Sequence, residues 1–351
     1  MRPKIGIIGC GKISPAYLKT LTTVGRPHVE VAACADISHE AARACAERFG
    51  IPRVLTPEAL LSDPDIRIVA NLTIPEAHEP VTRSALLSGK HVYCEKPLAL
   101  DLSAARDLHA LARDRGLMLS CAPDTLLGVA HQRARHLLDN GAIGTPADAF
   151  AHLQMAAALP AHYMRAASGP LLDMGPYYIG ALVFLLGPVR RVSALGSRMP
   201  MKDAAGAVFT PEAHSRVGAS LEFASGVTAQ LSLLNFGQTY APRLEIFGSA
   251  ARLVCADPNQ FEGAVLVDNA EPDVEFPDFP YAQNSRGAGI IDMSLALREG
   301  RDCRLGADFC LHCAEVALSI RQSIETERVV LLQTTCERPA PMTPLPAPAL
   351  A

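Results

Sequence analysis

The chain contains no tryptophan, carries no excess of positive charge and has no long apolar run. Without tryptophan, any aromatic stacking surface must use tyrosine or phenylalanine. A net charge of −4 provides no electrostatic basis for binding nucleic acid or an anionic membrane surface. No apolar run approaches membrane-spanning length, and the N-terminus does not resemble a secretory signal. We therefore expect a cytoplasmic protein with neither nucleic acid nor a membrane as its partner.

The ten cysteines are scattered, and several fall in apolar, strand-like runs. This distribution favours reduced, buried thiols over a disulfide framework. The segment 310–313 (CLHC), with Cys303 nearby, resembles a metal-binding knuckle, but no second ligand pair follows at a suitable spacing. Core packing is therefore favoured over zinc, and no metal is expected.

The first strand and turn, residues 4–14, carry the strongest functional signal. The apolar strand ends in Gly-x-Gly, where Gly9 allows a tight turn and Gly11 has no Cβ to block a phosphate. Ser14 replaces the usual third glycine. A second apolar strand ends at Asp36, about where a carboxylate that binds ribose is expected. This combination predicts binding of NAD rather than NADP, because the Asp36 charge would repel a 2′-phosphate.

Residues 1–121 alternate apolar runs with helical stretches, which is typical of a doubly wound parallel sheet that binds nucleotides at the carboxyl ends of its strands. The strands are predicted at 5–9, 29–35, 66–72, 91–94 and 117–121, and helices at 39–49, 76–88 and 103–115.

After residue 121 the pattern changes to longer β-type segments separated by turn residues. Over 122–332 it predicts an α/β domain with a large, mainly antiparallel open sheet and helices on one face. The predicted strands are 147–155, 189–197, 216–223, 227–235, 243–247, 252–255 and 329–332, and the helices are 130–140, 177–186, 290–299 and 310–325. The segment 333–351 is rich in proline and alanine and is predicted to be a disordered tail.

Glu95-Lys96-Pro97 follows the predicted strand 91–94. A lysine at this position would lie beside a nicotinamide and could move a proton to or from a hydroxyl group. The alternative is a surface lysine paired with Glu95. Pro97 excludes a regular helix start at Lys96, and a cis peptide bond is one way in which it would shape the backbone.

Asp173, Gly175 and Tyr177 begin a predicted apolar helix. A carboxylate in the first turn is favoured by the helix dipole, so a cap and a packing aromatic are the alternative to a catalytic pair. His162 lies in a segment expected to approach the substrate, although a structural or surface role is the alternative there.

Together these motifs resemble the Gfo/Idh/MocA oxidoreductases, the relatives of glucose–fructose oxidoreductase and inositol dehydrogenase. The resemblance covers roughly residues 3–332 and rests on the order and spacing of 9–11 (GCG), 71–78 (NLTIPEAH), 95–97 (EKP), 173–177 (DMGPY) and 284–293 (NSRGAGIIDM).

The resemblance implies a Rossmann domain followed by an α/β domain whose open sheet often mediates oligomerisation, here into a homodimer or homotetramer. It also implies hydride transfer between NAD(P) and a carbinol carbon of a sugar or cyclitol. Lys96 matches the catalytic lysine and Asp173 the acid that orients the substrate. Tyr177 stands where many members have histidine, although some have tyrosine, so the group that carries the proton stays open.

The implied cofactor contacts are Gly9, Gly11, Lys12, Ile13, Asp36, Asn71, Leu72, Thr73, His78, Glu95 and Lys96. The implied substrate contacts are Lys96, Asp124, His162, Asp173 and Tyr177. At Asp124 the sequence departs from the family pattern, so a substrate contact and a cap of the following helix are both open. Two other functions also stay open: a cofactor-binding sensor or scaffold without turnover, and a lyase, hydrolase or epimerase that uses tightly bound NAD transiently.

Overall fold

The computed structural model of this chain describes residues 2–155, 164, 169–202, 206–235 and 239–343. The chain divides into two compact units: Met1–Asp124 with Asn284–Ala314, and Thr125–Gln283 with Glu315–Ala351. The first boundary is close to the predicted one at residue 121. The assignment of 284–314 to the first unit differs from the prediction, which placed all of 122–332 in one domain.

Six strands build the sheet of the first unit: β1 Lys4–Ile8, β2 Glu30–Ala35, β3 Val54–Leu55, β4 Ile66–Asn71, β5 His91–Cys94 and β6 Leu119–Cys121. All pairs are parallel, in the order β3-β2-β1-β4-β5-β6. The doubly wound prediction is confirmed, and only the two-residue β3 had no counterpart in it. Every residue of β5 is buried, as expected for a central strand covered on both faces.

The described residues include a short 3-10 helix, Asp124–Leu127, and the α-helices α1 Ser14–Thr22, α2 His39–Phe49, α3 Pro57–Ser62, α4 Pro75–Leu87, α5 Leu102–Asp114, α6 Val129–Asp139, α7 Gly169–Asp173, α8 Gly175–Leu186, α9 Ala288–Glu299 and α10 Ala307–Thr326. Local chemistry sets the ends of α2, because the Ser38 side chain accepts a hydrogen bond from the Ala41 N–H and Gly50 ends the helix in the left-handed conformation. Across the described part of the chain, none of the helices combines the length and apolar character needed to cross a membrane.

The second unit contains an eight-stranded sheet of β7 Pro146–Gln154, β8 Val189–Ser197, β11 Arg216–Phe223, β12 Thr228–Leu234, β13 Ala241–Gly248, β14 Arg252–Cys255, β15 Leu266–Val267 and β16 Val330–Leu331. A separate two-stranded ribbon is formed by β9 Met201–Lys202 and β10 Val208–Phe209. The large sheet has the order β15-β14-β13-β7-β12-β11-β8-β16. Its pairs are antiparallel except β7 with β12, so the predicted, mainly antiparallel sheet is confirmed with one parallel pair. Buried and exposed residues alternate along β11, which leaves one face of that strand open.

The segment 333–343 differs from the predicted disordered tail. Arg135, itself buried, donates to the Pro339 carbonyl oxygen at 3.1 Å, and the Gln132 side chain accepts from the Met342 N–H at 2.7 Å. Cys336 and Met342 are buried. The prediction from composition failed here because side chains of α6 satisfy the backbone of a segment that has no helix or strand of its own. Residues 344–351 lie outside the described residues.

Candidate active site

The glycine turn after β1 has the geometry that the sequence predicts. Gly9 has φ +100°, and a Cβ there would lie 2.5 Å from the carbonyl carbon and oxygen of Leu72, so only glycine fits. At Gly11 a Cβ would meet nothing within 4 Å, which leaves open space beside the turn. Ile13, the N-cap residue of α1, makes no side-chain hydrogen bond to the helix. The turn and the N-terminus of α1 therefore present backbone N–H groups as a phosphate site requires.

Asp36 lies at the end of β2, beside this turn. One of its carboxylate oxygens accepts from the Cys10 N–H at 2.7 Å and the other from the Ser38 N–H at 2.8 Å. The side chain is half-buried, so its carboxylate keeps an accessible surface. Gly9 is joined to the same strand end, because its N–H donates to the Ala35 carbonyl at 2.9 Å. The glycine turn and the predicted ribose carboxylate therefore form one site that fits a dinucleotide.

Asn71 and His78 take positions different from the predicted cofactor contacts. The Asn71 amide donates to the His78 carbonyl and to Thr82, while its oxygen accepts from Thr73. The two ring nitrogens of His78 lie 2.7 Å from the Pro97 carbonyl oxygen and 3.1 Å from that of Thr73. Both side chains are buried, and burial lowers the pKa of His78. The hydrogen bonds of these two side chains therefore shape the loop after β4.

Glu95 is also directed inward. Its carboxylate accepts from the Tyr17 hydroxyl at 2.7 Å and from the Lys96 backbone N–H at 2.9 Å. The Glu95 N–H donates to the Asn71 carbonyl, which ties the end of β5 to β4. The Glu95 side chain is buried, so it does not lie at the surface as the predicted alternative of a surface lysine paired with Glu95 requires. Lys96 is half-buried, and its peptide bond to Pro97 is cis, the option that the sequence had raised.

The structure corrects the expectation that Asp124 contacts substrate. Asp124 is 1% exposed, and one carboxylate oxygen accepts from the Gly287 N–H at 2.7 Å and the Gly289 N–H at 3.1 Å. Asp124 therefore caps α9, which begins at Ala288. The alternative from the sequence was a cap of the helix that follows Asp124 in the chain. Burial raises the pKa of Asp124 to about 6, although the two N–H donors act in the opposite direction.

Asp173 and Tyr177 belong to the second unit. Asp173 is the last residue of α7, whereas the sequence predicted it in the first turn of an apolar helix. Met174 is the N-cap residue of α8, so Asp173 immediately precedes that helix and does not lie in its first turn. Asp173 is half-buried, and Tyr177 is 6% exposed in the first turn of α8. His162 lies outside the described residues.

The sequence did not identify Asp257 as a partner of the tyrosines. Asp257 follows β14 and accepts from the Tyr240 hydroxyl at 2.6 Å and from the fully buried Tyr178 at 3.4 Å. Burial and the Asp257 charge raise the pKa of both tyrosines. Tyr178 is therefore a packing residue with a satisfied hydroxyl. No local motif marks Asp257, because Tyr178 and Tyr240 are 79 and 17 residues away from it in the chain.

Of the cysteines that resembled a metal knuckle, Cys303 and Cys310 are buried and Cys313 is partly buried. Cys310 is buried, its sulfur lies 3.3 Å from the Leu305 carbonyl oxygen and it accepts from the Cys121 N–H at 3.1 Å. Within the residues that the structure describes, no group of three or more His, Cys, Asp or Glu side chains is arranged to hold a metal ion.

Two family profiles match the chain. The profile described as "Oxidoreductase family, NAD-binding Rossmann fold" covers residues 3–122, and the "GFO/IDH/MocA C-terminal domain" covers residues 131–254. The chain is also similar to a levoglucosan dehydrogenase solved with NADH and levoglucosan, with a TM-score of 0.82 over 95% of this chain and 100% of that one. At 19% identity this likeness shows the fold.

Curated relatives are more similar in sequence. The chain is 31% identical over 319 residues to dTDP-3,4-didehydro-2,6-dideoxy-alpha-D-glucose 3-reductase from Streptomyces antibioticus, covering 85% of this chain and 90% of the relative. It is 29% identical over 287 residues to 1,5-anhydro-D-fructose reductase from Ensifer adhaerens, covering 78% and 82%. With its NAD-binding Rossmann domain, the chain therefore belongs to the Gfo/Idh/MocA family and is an NAD(P)-dependent dehydrogenase or reductase that acts on CH–OH groups.

Proposed function

We propose that this enzyme transfers a hydride between NAD and a carbinol or keto carbon of a sugar, a glycoside or a cyclitol. Bound NAD supplies the hydride acceptor, and its reduced form supplies the donor. The proposed substrate class is supported by the names of the curated relatives, which are reductases of a dideoxy-sugar nucleotide and of anhydrofructose. NAD is proposed over NADP because Asp36 is followed by Ile37 and Ser38, which offer no positive charge to a 2′-phosphate.

The environment of Lys96 carries the proposal. Lys96 lies two residues after the end of β5, at the edge of a parallel sheet where doubly wound proteins bind ligands. The buried Glu95 carboxylate holds the Lys96 N–H, so the backbone at this point is fixed while the lysine side chain is only half-buried. Lys96 is the proposed acid–base group, which takes the hydroxyl proton during oxidation and returns it during reduction.

Asp173 and Tyr177 are the proposed substrate-orienting residues. The Asp173 carboxylate is suited to accept hydrogen bonds from sugar hydroxyls. A neutral phenol at Tyr177 is a poor base near neutral pH, so its proposed role is to donate a hydrogen bond to the reacting oxygen. His162 is kept as a proposed substrate contact on sequence grounds.

A Lys96→Met variant tests the proposed chemistry. We expect turnover to fall by a factor of ~10² to 10⁴ while NADH binding is kept, because a general acid–base group acts in the transition state. Turnover is followed by NADH absorbance with a panel of aldoses, cyclitols and their keto forms. Lys19→Met, which removes an exposed lysine from α1, is the matched control and should retain wild-type turnover.

Three outcomes would contradict the proposal. Near wild-type turnover by Lys96→Met would show that the lysine is structural. A wild-type protein that binds NADH but turns over none of the panel would favour a sensor or scaffold. Product formation without net NADH release would instead indicate transient use of a tightly bound cofactor.

The open face of the large sheet is the proposed surface for a homodimer or homotetramer. It carries exposed apolar side chains, including Leu195, which is 80% exposed, and Leu331, which is 68% exposed. On the same sheet the Arg243 guanidinium lies over the Phe150 ring, 5.4 Å from its centroid. Burial of such side chains by a second copy would be favourable. A cytoplasmic location is proposed because all ten cysteines are free thiols.

A further inference from the structure

The Tyr17 side chain joins the first helix to the loop that follows β5. Tyr17 is the fourth residue of α1, so it lies within about one turn of the helix N-terminus that follows the glycine turn. Its side chain is buried, and its hydroxyl donates to one carboxylate oxygen of Glu95 at 2.7 Å. The other oxygen of Glu95 accepts from the Lys96 backbone N–H at 2.9 Å. A chain of two hydrogen bonds therefore runs from α1 to the backbone of Lys96.

The backbone on either side of Lys96 is held from other elements. The Glu95 N–H donates to the carbonyl oxygen of Asn71, the last residue of β4, at 2.8 Å. The Pro97 carbonyl oxygen lies 2.7 Å from a ring nitrogen of His78, which belongs to α4. These contacts tie the loop to β4 and α4, whereas the contact through the Glu95 carboxylate ties it to α1, the helix next to the predicted phosphate site.

Close packing holds the Tyr17 side chain in one place. Its ring meets that of Tyr93 edge to face, with 5.9 Å between the ring centroids and 61° between the ring planes. A Cβ at Gly289 would lie 2.4 Å from the Tyr93 ring, so α9 closes the space on that side. A Cβ at Gly287 would lie 3.4 Å from the Tyr17 carbonyl oxygen, so the start of α9 also lies against α1. The position of α1 therefore sets the position of the Tyr17 hydroxyl.

We propose, on the basis of the proposed acid–base role of Lys96, that Tyr17 is a positioning residue that fixes the Lys96 backbone relative to the cofactor-binding end of α1. A buried carboxylate requires hydrogen-bond donors, and Tyr17 and Lys96 supply one to each oxygen of Glu95. Without the Tyr17 hydroxyl, one oxygen of Glu95 loses this donor and the carboxylate turns towards another. The Lys96 N–H then loses its fixed acceptor, and the loop that carries the lysine loosens.

This role should affect turnover more than cofactor affinity. The Tyr17 hydroxyl is directed at Glu95, whereas the glycine turn and Asp36 are held by separate hydrogen bonds. A displacement of about 1 Å at a reacting group lowers turnover by a factor of up to ~10². A loosened loop that still has its contacts to β4 and α4 should have a smaller effect, and we expect a loss of about tenfold.

A Tyr17→Phe variant tests the kinetic consequence, because it keeps the buried ring and removes only the hydroxyl. With a substrate of the panel that the wild type turns over, we expect kcat to fall about tenfold while the NADH dissociation constant stays within about twofold. Tyr93→Phe is the matched control. It removes a hydroxyl from the neighbouring buried ring, and none of the described residues gives that hydroxyl a hydrogen-bond partner, so wild-type kcat is expected.

NMR tests the hydrogen-bond chain without any substrate. Labelling with ¹⁵N-lysine gives six backbone N–H signals, because the chain has lysine at positions 4, 12, 19, 90, 96 and 202. Lys96→Met identifies the Lys96 signal by its loss. In Tyr17→Phe, we expect the Lys96 N–H to exchange with solvent at least about fivefold faster, while the Lys4 and Lys202 N–H groups keep their wild-type rates. Tyr93→Phe should keep the wild-type rate at Lys96.

A second variant interrupts the same chain at its centre. Glu95→Gln retains one acceptor oxygen in place of two, so it should also speed exchange of the Lys96 N–H. Because Tyr17 acts through Glu95, adding Tyr17→Phe to Glu95→Gln should change the exchange rate and kcat by less than about twofold further. A further tenfold loss of kcat in the double variant would show that Tyr17 acts by another route.

Three other results would overturn the proposal: a wild-type exchange rate of the Lys96 N–H in Tyr17→Phe, an equal loss of kcat in Tyr93→Phe, or an NADH affinity that falls by the same factor as kcat. Failure of the proposed function gives a different result. Near wild-type turnover by Lys96→Met, together with faster Lys96 exchange in Tyr17→Phe, would refute the acid–base role of the lysine and confirm that Tyr17 holds its backbone.

Discussion

The buried carboxyl group of Asp124 makes a quantitative prediction about stability and pH. Its pKa is raised from 3.8 to about 6 in the folded chain, with burial as the main cause. A group whose pKa is raised by folding stabilises the fold fully below its unfolded pKa, and this contribution is lost as the pH rises through the folded value. The difference between 3.8 and about 6 corresponds to ~3 kcal/mol. Above pH 6 the ionised Asp124 therefore lowers the free energy of unfolding by ~3 kcal/mol.

An Asp124→Asn variant isolates this cost. The amide is neutral at every pH, and its oxygen can accept from the Gly287 and Gly289 N–H groups as the carboxylate does. We expect the free energy of unfolding of the variant, minus that of the wild type, to rise by up to ~3 kcal/mol between pH 4 and pH 7. Urea unfolding followed by circular dichroism at half-unit pH intervals measures this difference.

Asp63→Asn is the matched control. The backbone N–H of Asp65 and the Arg53 guanidinium lower the pKa of Asp63, so its stabilising contribution is present above pH 4 and is lost only at lower pH. Between pH 4 and pH 7 its stability difference from the wild type should stay nearly constant. If the Asp124→Asn difference is flat or falls over the same range, burial does not dominate the ionisation of Asp124.

Three further predictions concern the cofactor, the tyrosines and the C-terminal segment. Asp36→Ala should lose much of the preference for NAD over NADP, measured as the ratio of the two dissociation constants; an unchanged ratio would contradict the ribose assignment. Tyr177→Phe should lower turnover more than Tyr178→Phe, whereas Tyr178→Phe should instead cost about 1 kcal/mol of stability through its lost hydrogen bond; equal turnover effects would refute the distinction. Truncation after Leu332 should lower the melting temperature by several degrees, whereas truncation after Thr343 should not, and equal melting curves would show that 333–343 adds no stability.

Local pattern predicted most of the elements because each depends on nearby residues. The apolar runs of the first 121 residues gave β1, β2, β4, β5 and β6 with small end errors, since a strand buried on both faces leaves a continuous apolar signal. The two-residue β3 and the helix α3 were missed, because segments so short have no periodicity to detect. The parallel pairing of β7 with β12 was also missed, because it joins strands distant in sequence.

Side-chain direction was harder to predict than element type. Asn71 and Glu95 lie at predicted strand ends and His78 lies on α4, yet the hydrogen bonds of all three side chains direct them into the protein. The spacing of a motif predicts that a residue lies at an edge of the sheet. It does not predict which neighbouring groups form hydrogen bonds with the side chain of that residue. Asp124 shows the same limit, since its partners are the N–H groups of a helix that begins at Ala288.

The sequence alone determined the family, the doubly wound sheet, the glycine turn and the carboxylate at Asp36, because these depend on short-range backbone geometry and on the alternation of apolar segments. Tertiary structure alone decided that 284–314 joins the first unit, that 333–343 packs against α6, and that Asp124 accepts from the Gly287 and Gly289 N–H groups. The physical reason is that these contacts join residues far apart in the chain. Their free energy depends on burial and on hydrogen-bond partners, and neither leaves a periodic trace in the sequence.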